Sequence, residues 1–212
     1  MVIANSLDHI LNSKSKIAIV RLFVSKTDDF KASGREVARL IRMSAPAAHS
    51  ALKELYNQKI VKLEIMGKQH VYALNHGGRV VEQMLKPVFK REIGVKDEIK
   101  IWLTRQIRKT GLVNSILSVL LYGSLQRGES VLASDVDIAV IVKNNGNKKN
   151  IEEKFMGDIS DEFNEYFGAH LDVYVKTADE FRMKLRKHLP PVSTLMKSYS
   201  VIFGKDPLEV LI

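Results

Sequence analysis

The strongest constraint on the fold lies between residues 115 and 142, where two apolar runs, SILSVLLY and VDIAVIV, flank a short, mostly small or polar segment. Runs this short, bounded by Gly-Ser on one side and small polar residues on the other, read as buried strands over Ser115–Tyr122 and Val136–Val142. The first ends in Gly123 and Ser124, and ten residues later Asp135 and Asp137 open the second. Side chains two apart on a strand leave the same face of the sheet. Carboxylates held so close repel each other, and a divalent cation between them turns that repulsion into attraction; hard oxygen donors suit Mg²⁺, which also coordinates phosphates. Asp172 stands among apolar residues in HLDVYV, where an unpaired carboxylate is costly to bury. A glycine at a strand end lets a ligand approach the backbone, and a helix starting at Ser124 offers N–H groups and a hydroxyl to an anion.

Gly-Ser, ten residues, Asp-x-Asp and a later acid resemble the signature of the DNA polymerase β nucleotidyltransferase superfamily, and most closely its minimal nucleotidyltransferases. RGE at 127–129 and the closing VIFGKDPLEVL are similar in wording, so the resemblance covers residues 95–212. It implies that Asp135, Asp137 and Asp172 are catalytic and hold two Mg²⁺ ions. Gly123, Ser124 and Arg127 would bind a nucleoside triphosphate, ATP being the first expectation. A nucleoside monophosphate would pass to an acceptor, with pyrophosphate released. Arg127 fits a simple pair with Glu129 as well as a phosphate contact. The family's larger antibiotic-modifying members carry a helical acceptor-binding domain, and no counterpart to it is expected within residues 95–212. The resemblance therefore implies that a partner subunit, of the small helical HEPN type, or the second copy of a homodimer completes the site.

The N-terminal part reads helix, helix, helix, hairpin. SLDHILNSKSKIAIVRLFVSK supplies one or two helices, and SGREVARLIRM follows with Ser33 as N-cap, Glu36 as its capping-box partner and Val37, Leu40 and Ile41 facing inward. Ser44 caps APAAHSALKELYNQKI, Pro46 suits its first turn, and Ala48, Ala51, Leu52 and Leu55 share one face. The period then switches to two: Val61, Leu63 and Ile65 alternate with polar residues, a turn falls around Gly67, and His70, Tyr72 and Leu74 resume the alternation. The segment is similar to the winged helix-turn-helix domains of MarR- and ArsR-type regulators. That resemblance implies DNA contacts from Ser44, Ala47, His49, Ser50 and Lys53 on the third helix and from Lys68 at the wing. The third helix is short of Arg, Asn and Gln, so little base reading is expected of it.

These readings define an α+β chain: a winged helix-turn-helix domain at 1–78, a helical linker at 79–94 interrupted by Pro87 and Gly94, and a nucleotidyltransferase domain at 95–212 with a mixed β-sheet flanked by helices. Charge supports the division. The net charge is +9, with 21 Lys and Arg against 10 Asp and Glu in residues 1–110 and 12 against 14 thereafter. A basic half fits a phosphate backbone. There is no cysteine, no apolar run long enough to span a bilayer and no secretory-signal character in Met1–Leu11, so a cytoplasmic protein without membrane association is expected. A second reading from a different class is a DNA-binding regulator whose nucleotidyltransferase domain senses nucleotide.

Overall fold

The computed structural model describes residues 6–67, 69–128 and 135–210. It divides into two compact units with the boundary between Val95 and Lys96. In the first unit, α1 (Ser6–Ile10) and α2 (Lys14–Val24) are separate helices, and the Ser13 side chain accepts from the Lys16 N–H to start the second. A short strand, β1 (Lys31–Ser33), leads into α3 (Gly34–Leu40), where Ser33 accepts from the Glu36 N–H. Ser44 does the same for the Ala47 N–H at the head of α4 (Ala45–Asn57), with Pro46 in the first turn, where its missing N–H is not needed. The hairpin follows as β2 (Val61–Met66) and β3 (Gln69–Leu74) around Gly67, whose φ of 63° suits glycine. The sheet order is β1-β3-β2, all antiparallel. α2, α3 and α4 with the three-stranded wing sheet make a winged helix on the chain's own topology, and α1 precedes them. β1 was not legible in the sequence because three residues carry no period.

The core of this unit joins Ile19, Val20 and Phe23 of α2 to Leu52 and Leu55 of α4. Lys16, only 2% exposed, sits at its margin and is satisfied by the His9 carbonyl at 2.6 Å and Glu54 Oε2 at 2.7 Å. Val81, Leu85 and Phe89, from the segment read as a linker, belong to the same core. The expected interruption at Pro87 does not occur: a widened turn at Val81–Leu85 runs directly into α5 (Lys86–Ile93). Pro87 falls in the first turn of α5, and the wide turn ahead of it absorbs the clash of its ring with the preceding carbonyls.

α6 (Val95–Lys109) follows the break at Gly94, and all of it after Val95 belongs to the second unit. Then come β4 (Ile116–Tyr122), α7 (Gly123–Arg127) and β5 (Val136–Val142). The charged helix expected over 148–166 is two helices, α8 (Lys148–Lys154) and α9 (Ser160–Phe167), bent at Gly157 with φ −100° and ψ −109°. β6 (Leu171–Thr177) runs into α10 (Ala178–Arg186), headed by a complete capping box between Thr177 and Glu180. The short α11 (Val192–Leu195), β7 (Ser200–Gly204) and α12 (Pro207–Val210) complete the unit. The sheet order is β6-β5-β4-β7, with β5 and β6 parallel and the other pairs antiparallel, which is the expected mixed sheet. Leu120, Ala139 and Ile141 on one face pack with Phe181 of α10 and Val192 and Leu195 of α11. α8 and α9 lie against β6, and Trp102 of α6 meets Phe163 of α9 edge-on at 5.5 Å. No helix among the described residues is long and apolar enough to cross a membrane.

Candidate functional site

Strand register builds the site. Tyr122 of β4 pairs with Asp137 of β5, and Asp137 pairs with Asp172 of β6, so one row across three strands holds a phenol and two carboxylates on a common face. Asp135, two residues before Asp137, lies toward the same face. This row stands at the end of the face that α10 and α11 cover further along, where β4 has just given way to α7.

Gly123 is fixed by this arrangement twice over. Its φ is +76°, and a Cβ placed there would lie 1.8 Å from Asp137 Oδ2 and 2.6 Å from Asp137 Cγ. The carboxylate rests directly on the glycine backbone. Ser124 follows, half-exposed, in the first turn of α7, whose N-cap Tyr122 makes no side-chain cap bond among the described residues.

The electrostatics are those of crowded acids. Burial, then the charges of Asp172 and Asp135, push the Asp137 carboxyl above its ordinary value, while Arg127 pulls it down. Burial, Asp137, Asp172 and Tyr174 together drive the Tyr122 phenol far up, so it stays protonated and can serve as a donor. Tyr174, two residues along β6 from Asp172, has a buried hydroxyl with no partner among the described residues, and Lys176 Nζ stands 5.0 Å from its ring centroid. Neither tyrosine was singled out in the sequence, because the register that brings them to the acids is not a local pattern.

The donor set fits a hard divalent cation, since three oxygen-bearing acids share one face and the crowding on Asp137 is the repulsion a cation relieves. Among the described residues, no three His, Asp or Glu side chains are gathered closely enough to form a ready metal centre. Glu129, the alternative partner of Arg127, lies outside the described residues, as does Lys68 of the wing. His170 and Lys205 are exposed, and each serves the sheet ends through backbone bonds, to Val136 and to Leu117.

On α4, Ser50 and Lys53 are exposed and Ala47 is half-buried. Ser44 spends its hydroxyl on the cap. The His49 ring is exposed on one side but packs over Gly34 of α3, where a Cβ would lie 2.5 Å from His49 Cε1. Arg39 and Arg42, exposed just ahead of α4, are cations that the sequence reading passed over.

Residues 105–188 match the family described as "Polymerase beta, Nucleotidyltransferase". A Methanocaldococcus jannaschii protein named "Putative protein adenylyltransferase MJ1305" is 30% identical over 94 residues, 44% of this chain and 62% of that protein. The chain thus spans somewhat less than two thirds of that relative. Among solved structures, the homodimeric winged helix-turn-helix DNA-binding domain of Mb0332 from Mycobacterium bovis aligns at 16% identity and a TM-score of 0.34, covering 42% of this chain and 77% of that one. Lactococcus lactis ZitR aligns at 13% identity and a TM-score of 0.31, covering 71% of this chain and 75% of that one.

Proposed function

We propose, from the match of residues 105–188 to the polymerase β nucleotidyltransferase family, an enzyme that transfers a nucleoside monophosphate from a nucleoside triphosphate to an acceptor hydroxyl, with Mg²⁺ bound by Asp135, Asp137 and Asp172. The observation that carries this reading is the row Tyr122–Asp137–Asp172 with Gly123 pressed against the central carboxylate. Bound Mg²⁺ would neutralise the triphosphate and lower the pKa of the acceptor hydroxyl.

The chain's own residues do the rest. Ser124 and the first N–H groups of α7 hold the terminal phosphates, with Arg127 beside them. Tyr122, protonated throughout the physiological range, donates from the opposite strand end. The acceptor oxygen forms a bond to the α-phosphorus, the bond from that phosphorus to the bridging oxygen breaks, and pyrophosphate leaves with the electron pair. Asp172 faces the acceptor side and takes part in removing its proton. ATP and a protein acceptor are the first choices, because the M. jannaschii relative is named for them. A HEPN-type protein or a second copy of the chain is the partner to try first as acceptor. The winged helix serves to hold DNA, with Lys53, Ser50, Arg39 and Arg42 on phosphates.

The test is incubation with Mg²⁺ and each α-labelled nucleoside triphosphate, with and without a lysate of the source cells. Label on a macromolecule that disappears in Asp135→Ala/Asp137→Ala supports the enzyme. Tight nucleotide binding without label would instead favour a DNA-binding regulator that senses nucleotide.

A further inference from the structure

We propose that the outer face of α6 is a track for a single strand of nucleic acid, held through its phosphates and separate from the winged helix. Residues 99–128 contain Lys100, Arg105, Arg108, Lys109 and Arg127 and no Asp or Glu. The boundary after Val95 places these cations in the second unit, although a division of the charge at residue 110 counts all but Arg127 with the first half. Lys100, Arg105, Arg108 and Lys109, with Ile101 and Thr104, line a shallow cavity of about 550 Å³.

What sets these four cations apart is that they line one cavity together, whereas Lys143, Lys184, Arg186, Lys187, Lys197 and Lys205, which also lack an acid partner among the described residues, do not gather there. Elsewhere in this unit Lys148 pairs with Glu180, Lys149 with Glu153, Lys154 with Asp158 and Arg182 with Asp179. Among the described residues the four on α6 make no ion pair. Favourable interaction with the helix dipole accounts for Arg108 and Lys109 in the last turn, but not for Lys100 or Arg105. Lys100 to Lys109 spans ~13 Å at ~1.5 Å per residue. That length covers roughly four phosphates of one strand at ~3.4 Å each.

A single strand is favoured over a duplex or an acidic protein by what borders the cations. Ile101 is 64% exposed, and Tyr166, 61% exposed, stacks on Trp102 of α6 at 6.4 Å and 19° and donates its hydroxyl to Glu98 Oε1 at 3.2 Å, so the acid at the head of α6 is engaged at the edge of the aromatic step, with the ring left exposed. Phosphate-binding cations beside an exposed aromatic step are the combination that unpaired bases use. The track is also tied to the candidate site. Lys96 Nζ donates to the Gln126 carbonyl in α7 at 3.4 Å, Gln126 Oε1 accepts from Ser200 at 2.9 Å, and the Thr104 hydroxyl donates to the Ile202 carbonyl at 3.2 Å. α6 is therefore fixed to α7 at its start and runs along β7, so a strand lying on it leads toward or away from the loop that carries Gly123 and Ser124.

The experiment uses the full chain without nucleoside triphosphate, which separates it from the transfer reaction. Fluorescence anisotropy would follow a labelled single strand of about 20 nucleotides and a duplex of the same length from roughly 50 to 200 mM salt. Replacing Lys100, Arg105, Arg108 and Lys109 together by Ser should weaken single-strand binding more than about tenfold and flatten its salt slope by ~3, at ~0.7 per phosphate contact. Duplex binding should be unchanged. If circular dichroism shows that this variant does not fold, Arg105→Ser/Arg108→Ser tests the same idea with a slope change of ~1.4. An unchanged single-strand slope overturns the proposal. So does equal loss on duplex, or a polyglutamate peptide that competes as well as the oligonucleotide, which would point to an acidic protein instead.

Discussion

The row of Tyr122, Asp137 and Asp172 and the outer face of α4 are both candidate functional surfaces, and they differ in what the fold gains from them. The row is a cost to the fold: burial and neighbouring acids hold Asp137 above its ordinary pKa, and Gly123 is confined by the carboxylate lying on it. At α4 three of the named residues serve the fold. Ser44 caps the helix, His49 packs over Gly34, and Ala47 is half-buried. Residues that the fold would be better without indicate chemistry far more strongly than residues that also have a structural use.

The contrast breaks most easily at Asp137 and Gly123. Asp137→Asn should lower nucleotidyl transfer by about 10²–10³, as the loss of a charge-stabilising group at a reacting centre does. It should leave metal-free thermal stability unchanged or raise it. The sign follows from the raised pKa: the folded state holds the Asp137 proton more tightly than the unfolded state does, so its ionised carboxylate is a destabilising presence at neutral pH. A fall in melting temperature for Asp137→Asn would mean that the acid is structural. Gly123→Ala should lose comparable activity and also stability, by about 1–3 kcal/mol, because the new methyl both collides with Asp137 and occupies a left-handed backbone.

Glu180 is an acid of the opposite kind. Burial raises its pKa, but the Lys148 hydrogen bond and the Thr177 N–H outweigh that, and the net shift is downward. Its contribution is complete above the ordinary carboxylate value and is lost as pH falls through the lower folded value. Glu180→Ala should cost about 1–2 kcal/mol in urea melts at pH 7 by removing half of the capping box. The cost should shrink below pH 4, whereas any effect of Asp137→Asn on stability should appear only above it.

The sequence made most of the candidate site legible because its spacing is local. Gly123, Ser124, Asp135 and Asp137 fall within one stretch, and the strand expected over Val136–Val142 is β5 to the residue. What was not legible depends on distant pairing. Tyr122 and Tyr174 join the acids only through the registers of β4 with β5 and of β5 with β6. β7 escaped notice because SVIFG has neither alternation nor a turn signal ahead of it, and only pairing with β4 makes it a strand. Counting charge by halves hid the α6 cations, since packing, not length, decides to which unit a helix belongs.

Ser44→Ala comes next in size, costing about 1 kcal/mol of thermal stability through the lost cap. The smallest effect is expected at Lys53, and it sharpens the comparison most. Lys53 is exposed, and no structural use competes with a phosphate contact. Lys53→Ala should therefore leave stability unchanged and flatten the salt slope of duplex DNA binding by ~0.9, the value for one phosphate. The loss of affinity should be the same on every duplex, because a phosphate carries no sequence information. A loss confined to one sequence would show that α4 reads bases despite its shortage of Arg, Asn and Gln. The outer face of α4 would then be as specialised as the carboxylate row, with its specificity carried by Ser50, Lys53 and the edge of the His49 ring.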